Sequence, residues 1–183
     1  MKGSKKRIAL NAEEIHEALD RMVAQMVIDY PDTERLVLIG VRTGGAFLAN
    51  RIQELIKAQK GLTVPTGALD ITLYRDDWTR INHKPLVGKT EVPVCLDNKI
   101  IILVDDVLYT GRTVRVALDA LIDFGRPRRI SLAVLVDRGG RELPISADYS
   151  AIRLDTQQEE RVNVYFKELG DMDQVIIEGG LRE

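Results

Sequence analysis

Residues 100–115, IIILVDDVLYTGRTVR, constrain the fold more than any other stretch of the chain. Ile100, Ile101, Ile102, Leu103 and Val104 follow one another without polar alternation, which predicts a strand buried on both faces of a parallel sheet. Two carboxylates, Asp105 and Asp106, come next. Thr110, Gly111, Arg112 and Thr113 then open a run with helical spacing at Val114, Ala117, Leu118 and Leu121. The pattern reads as strand, loop and helix N-terminus. The first N–H groups of a helix lack intrahelical partners and sit at the positive end of its dipole, so they form a phosphate site. Gly111 lets the backbone approach an anion, and Thr110 and Thr113 offer hydroxyl donors. The acceptor-only carboxylates suit neighbouring sugar hydroxyls or a hydrated magnesium ion. A lone aspartate pair makes an Asx turn and a lone threonine caps a helix. The whole block predicts a ligand with a phosphate on one side and a diol on the other.

The same unit occurs earlier in the chain. The apolar run 36–39 leads through Gly40 into Val41, Arg42, Thr43, Gly44 and Gly45, and a helical pattern follows at Phe47, Leu48, Ile52, Leu55 and Ile56. A glycine pair is commonly a tight turn. It can also present consecutive N–H groups to an anion, with Arg42 adding a charge-assisted contact. A first helix is predicted to start at Asn11, with Glu14 completing a capping box, and to end near Ile28. Its outer face is mostly acidic, with Arg21 among Glu13, Glu14, Glu17 and Asp20. Residues 64–74 read as an interrupted strand whose start, at Pro65 and Gly67, belongs on an edge. Residues 75–99, beginning Arg75, Asp76 and Asp77, are polar and turn-rich over a length that suits a flap above a site. A further buried strand, 131–136, ends in Asp137, Arg138, Gly139 and Gly140. Because ligands of open α/β sheets bind beyond the carboxyl ends of the strands, Val136, Asp137 and Arg138 should face the same crevice. Short late strands are expected at 162–166 and 174–177.

These 183 residues suffice for one domain with a full core, spanning 1–183. The formal net charge of −2 gives no whole-molecule attraction for nucleic acid or an anionic membrane. One cysteine, Cys95, excludes an internal disulfide, and His16 and His83 have no metal-ligand spacing. The basic start MKGSKKR precedes too short an apolar run for a secretion signal, so a cytoplasmic protein is expected. The fold class is a doubly wound α/β domain with a mainly parallel sheet, a small hood from the N- and C-terminal segments and a mobile flap.

Residues 100–115 resemble the phosphoribosyl-pyrophosphate (PRPP) signature of the type I phosphoribosyltransferases. They match neither the dinucleotide fingerprint nor a P-loop. Together with residues 70–77 and with 135–144, LVDRGGRELP, the chain resembles the PyrR family of pyrimidine-operon regulators and uracil phosphoribosyltransferases. The resemblance implies PRPP bound by Asp105, Asp106, Val107, Leu108, Tyr109, Thr110, Gly111, Arg112 and Thr113, the two aspartates holding the ribose hydroxyls. It implies a pyrophosphate loop at Val41, Arg42, Thr43, Gly44 and Gly45 with a non-proline cis peptide, and uracil held by Val136, Asp137, Arg138 and Tyr109. Asp105, Asp106 and Arg42 become the catalytic candidates. Magnesium would arrive with PRPP rather than on protein ligands, and the flap at Arg75, Asp76 and Asp77 would close over the site.

The products would be UMP and pyrophosphate. Purine-salvage relatives carry an acidic residue before the Thr-Gly, where this chain has Tyr109. A phenol is a poor general base at neutral pH, which argues against a purine base while leaving it as an alternative. Another reading is a leader-mRNA-binding attenuation regulator that uses the nucleotide site as a UMP sensor, with Arg21, Arg138, Arg141 and Arg153 as the RNA contacts. The acidic first helix and Ser146, Asp148 and Ile152 depart from the basic face that reading wants. Family members usually form homo-oligomers.

Overall fold

The computed structural model describes residues 5–72 and 89–179. In chain order it contains β1 (Lys5–Leu10), α1 (Ala12–Asp29), β2 (Leu36–Val41), α2 (Gly44–Lys60), β3 (Thr66–Leu69), β4 (Ile100–Leu108), α3 (Arg112–Ile122), β5 (Arg129–Asp137), β6 (Tyr149–Arg153), β7 (Arg161–Tyr165) and β8 (Gln174–Gly179). Asn11 caps α1 as its sequence predicts. Its side chain accepts the Glu14 N–H at 3.0 Å while the Glu14 carboxylate accepts the Asn11 N–H at 2.8 Å.

Five strands form a wholly parallel sheet in the order β3-β2-β4-β5-β6. Within its central strands the side chains alternate between two cores, which is why their sequences are apolar throughout. Leu36 and Leu38 of β2, Ile102 and Val104 of β4, and Ala133 and Leu135 of β5 pack against α1 and α2. Val37, Ile39, Ile101, Leu103, Leu132 and Val134 pack against α3. This is the doubly wound architecture. β3 is one of the two edge strands, in keeping with Pro65 and Gly67 at its start. Beyond it, Glu91 pairs with Ala68 in an antiparallel bridge and Leu96 is buried in the core, so residues 89–99, expected as the end of a mobile flap, pack on the sheet instead.

A second sheet, β1-β8-β7, is antiparallel and joins the two chain ends into the expected hood. β1 and β6 were not legible as strands. β1 is short and basic, and its Lys6 pairs with Glu178 at 2.7 Å on a partner more than 150 residues away. β6 lies at the sheet edge, started by Asp148, whose carboxylate accepts the Leu132 N–H at 2.8 Å. Ile152 pairs with Val136, so both serve the sheet rather than a basic face. No helix among the described residues is long and apolar enough to cross a membrane.

The hood is tied to the main body at Arg51 of α2. Its guanidinium donates to both Glu168 oxygens, at 2.9 and 2.5 Å, and to Asp173 at 2.7 Å, while lying 5.4 Å from the Phe166 ring centroid. The hydrogen bond from Arg51 holds the Glu168 carboxyl below its ordinary range. Burial alone would raise Asp173, but the Arg51 and Lys167 N–H donors outweigh it, and this carboxyl is lowered too. A carboxyl depressed in the fold contributes stability above its unfolded value, and the contribution is lost as pH falls through the folded one. Arg51→Met should therefore cost about 1–3 kcal/mol at pH 7, read from urea denaturation midpoints. The gap to the native protein should narrow below roughly pH 4, and an undiminished gap at pH 3 would exclude the ionic tie.

Candidate active site

From β2 the chain passes through α2 to β3 on one side, whereas from β4 it passes through α3 to β5 and then β6 on the other. The winding direction therefore reverses between β2 and β4, and a crevice opens beyond their carboxyl ends. The structure brings the two sequence-predicted loops together there. A β-carbon on Gly44 would overlap the Asp106 carboxylate, and one on Gly45 would overlap the Val104 carbonyl. The β2–α2 loop thus lies directly on the end of β4. Val41 is buried, Arg42 and Thr43 are exposed, and the Arg42–Thr43 peptide is cis, as the family resemblance implies. The Arg42 backbone N–H donates to the Leu69 carbonyl and its Nε to the Lys89 carbonyl, both at 2.9 Å.

One expectation needs correcting. The acidic pair does not follow the strand but lies within it, because β5 continues alongside and keeps the parallel ladder going as far as Leu108 opposite Asp137. Asp105 is buried and accepts the Asp106 N–H at 3.0 Å, while Asp106 accepts the Val107 N–H at 2.8 Å. Burial pushes the Asp106 carboxyl up, against the opposing effect of the Val107 N–H. Only Tyr109, Thr110 and Gly111 remain as the loop before α3. Gly111 adopts φ +91°, a left-handed conformation that glycine tolerates, and α3 begins without a side-chain cap. Arg112 and Thr113 form its first turn.

The third loop closes over this one. The Thr110 carbonyl accepts the N–H groups of Glu142 and Leu143 at 3.0 and 3.2 Å, Leu143 and Ile145 cover Gly111, and Arg112 Nε meets Glu142 at 2.7 Å. Arg141 holds the arrangement from inside. Its guanidinium donates to the Tyr109 carbonyl at 2.8 Å, the Ile145 carbonyl at 2.9 Å, the Gly139 carbonyl at 3.1 Å and the Asp137 carboxylate at 2.6 Å. Arg138 is 7% exposed, bonded to Thr156 Oγ1 and the Gln157 carbonyl, and it lies 4.0 Å from the Tyr109 ring centroid.

Sequence reasoning missed the positioning roles of Arg141 and Glu142. The i, i+4 spacing of Asp137 and Arg141 was the available signal. Two of the four arginines considered for RNA, Arg138 and Arg141, are committed to the fold's own acceptors, whereas Arg21 and Arg153 are exposed. One face of Tyr109 is taken by Arg138, and Val136 is buried, so its side chain belongs to the core. Arg75, Asp76 and Asp77 lie outside the described residues.

Residues 10–167 match the family model described as the phosphoribosyl transferase domain. The fold agrees with that class. The hypoxanthine phosphoribosyltransferase of Trypanosoma cruzi superposes with a TM-score of 0.73 at 18% identity, covering 96% of this chain and 97% of that one. One from Staphylococcus aureus gives 0.70 at 20% identity, covering 96% and 92%. Within the class the chain belongs to the PyrR family. It is 50% identical to the bifunctional protein PyrR of Syntrophobacter fumaroxidans over 94% of this chain and 92% of that protein. It is 53% identical to PyrR of Thermus thermophilus over 91% and 92%.

A carboxyl raised in the fold holds its proton to higher pH than the unfolded chain does. Its stabilising contribution is therefore full below the unfolded value and lost as pH rises through the folded one. Asp106→Asn keeps the shape and removes the charge that burial disfavours, so this variant should melt at or above the native temperature at pH 7, with the difference shrinking as pH falls through the raised folded value and gone below the unfolded one, about pH 4. A large loss of melting temperature at pH 7 would mean that the charge is compensated in the fold.

Proposed function

We propose that this crevice transfers the 5-phosphoribosyl group of PRPP to uracil, giving UMP and pyrophosphate. The observation that carries the reading is the close approach of Gly44 to the Asp106 carboxylate, which supports a diol acceptor on β4 working beside an anion loop. The uncapped start of α3 with Thr110 and Thr113 holds the 5′-phosphate, Asp105 and Asp106 accept from the ribose hydroxyls, and Arg42 with the 43–45 N–H groups holds the pyrophosphate. In the reaction the uracil N1–C1′ bond forms as the C1′–oxygen bond breaks. Pyrophosphate leaves with the electron pair, and N1 loses its proton.

The donor set fits magnesium brought in by PRPP. Asp105 and Asp106 of β4 offer hard carboxylate oxygens, and no three His, Cys, Asp or Glu side chains among the described residues converge into a protein cage. Asp105 and Asp106 would hold it through the ribose oxygens, and when bound it neutralises charge on the leaving pyrophosphate. The transition state carries oxocarbenium character, and dipoles fixed in advance stabilise the departing charge without reorganising. Residues 136–138 read the base mainly through their backbone, with Arg138 fixing the Tyr109 ring beside them.

A second activity, UMP-dependent leader-mRNA binding, is supported by the family's name as bifunctional. Its surface would be the α1–β6 face, where Arg21 and Arg153 are exposed on elements that pack together. With Arg138 and Arg141 withdrawn, we read this second role as weakened relative to catalysis. Tight, salt-dependent leader-RNA binding strengthened by UMP would overturn that ranking.

Steady-state UMP formation from uracil, PRPP and magnesium tests the main reading. Asp106→Asn and Gly44→Ala should each lower kcat/KM by about 10²-fold or more, the second by displacing the Asp106 carboxylate. Faster turnover with guanine or hypoxanthine than with uracil would instead assign a purine enzyme.

A further inference from the structure

At the opposite end of the sheet, β2, β4 and β5 start in register, with Leu36 opposite Ile100 and Ile100 opposite Arg129. The residue just before each start is a cation: Arg35, Lys99 and Arg128. Neighbouring strands lie about 4.8 Å apart, so the three form a row roughly 10 Å long. The backbone beneath them is fixed. The Arg128 N–H donates to the Lys99 carbonyl at 2.8 Å, the Asn98 N–H to the Arg126 carbonyl at 3.0 Å, and the Arg126 N–H to the Asp97 carboxylate at 2.7 Å. These three cations, with Asp97 and Asn98, line a cleft of about 690 Å³. An adjoining cleft of about 570 Å³ adds Arg126. Such volumes suit a small ligand.

Most arginines of this chain that face the fold are spoken for, as Arg51, Arg138 and Arg141 show. Arg35, Arg126 and Arg128 differ: among the described residues their guanidinium groups make no hydrogen bond or ion pair. Lys99 has only a long contact of 3.4 Å to the Glu34 carbonyl. Of the nearby acids, Asp97 accepts from the Arg126 backbone N–H, and Asp29 and Asp32 lie on the α1 side of Arg35 and Arg128. A chain with net charge −2 thus gathers four cations around a cleft about 20 Å along β4 from the carboxylate pair, with fewer acids beside them.

We infer that the cleft at the amino ends of β2, β4 and β5 is a second ligand site, binding a compact chain of linked phosphates such as inorganic polyphosphate or the triphosphate of a nucleotide. The row is too short for a nucleic-acid backbone, which is held by many spaced phosphate contacts, and exposed Asp32 and Glu34 border it. A compact polyanion fits between long side chains that can converge. The inference is independent of the reaction assigned to the crevice.

Calorimetric titration with inorganic tripolyphosphate, with the crevice occupied by saturating UMP, tests it. The native protein should bind, and Arg35→Gln/Arg128→Gln should bind about tenfold more weakly or worse, with its melting temperature and UMP formation retained. Lys99→Gln alone should weaken binding in the same direction, which keeps the test valid should the double variant fold poorly. A parallel titration with ATP identifies the source: tighter binding than tripolyphosphate indicates a nucleotide, equal binding the phosphate chain alone. Absence of binding, equal affinity in native and variant proteins, or binding seen only with long RNA would overturn the proposal.

Discussion

Everything at the crevice depends on a backbone approach that side chains would forbid. Gly40 on β2 faces α2 so closely that a β-carbon would overlap the Gly45 carbonyl, and Gly45 in turn abuts the Val104 carbonyl of β4. Missing side chains at these points let the first turn of α2 sink onto the sheet. The 42–45 loop is thereby brought within contact of Asp106. A parallel sheet reversing its winding between β2 and β4 supplies the gap, and the glycines decide how narrow it is.

The second feature of the site is that its loops support one another. Residues 138–145 contribute mainly by holding residues 109–111: Glu142 and Leu143 bond to Thr110, Leu143 and Ile145 cover Gly111, and Arg141 gathers the carbonyls of Tyr109, Gly139 and Ile145. Arginine suits this role because its planar fork satisfies several acceptors at once. A cation that looks like an RNA contact in the sequence can therefore be a structural clamp in the fold.

What the sequence disclosed follows from how local each signal is. The capping box at Asn11, the unbroken apolar runs of β2, β4 and β5, and the carboxylates beside Thr110 and Gly111 are written in contiguous residues, and each corresponds to an observed element. The end of β4 was misjudged because two aspartates look like a loop when the neighbouring strand that pairs with them is unseen. β1 and β6 were missed for the same reason, since each gains strand character from a partner or an edge rather than from its own pattern. Burial of Arg138 is likewise a three-dimensional fact, produced by the convergence of Tyr109, Thr156 and Gln157 from separate segments.

The pairing of β1 with β8 has a consequence for biosynthesis. As the chain emerges from the ribosome, β2 to β6 with their three helices can assemble from segments already made, but β1 has no partner until β8 appears. For most of that interval the first strand is an open edge. Lys6 and Arg7, which later meet Glu178 and Glu160, give that edge the charges that discourage pairing with a neighbouring nascent chain.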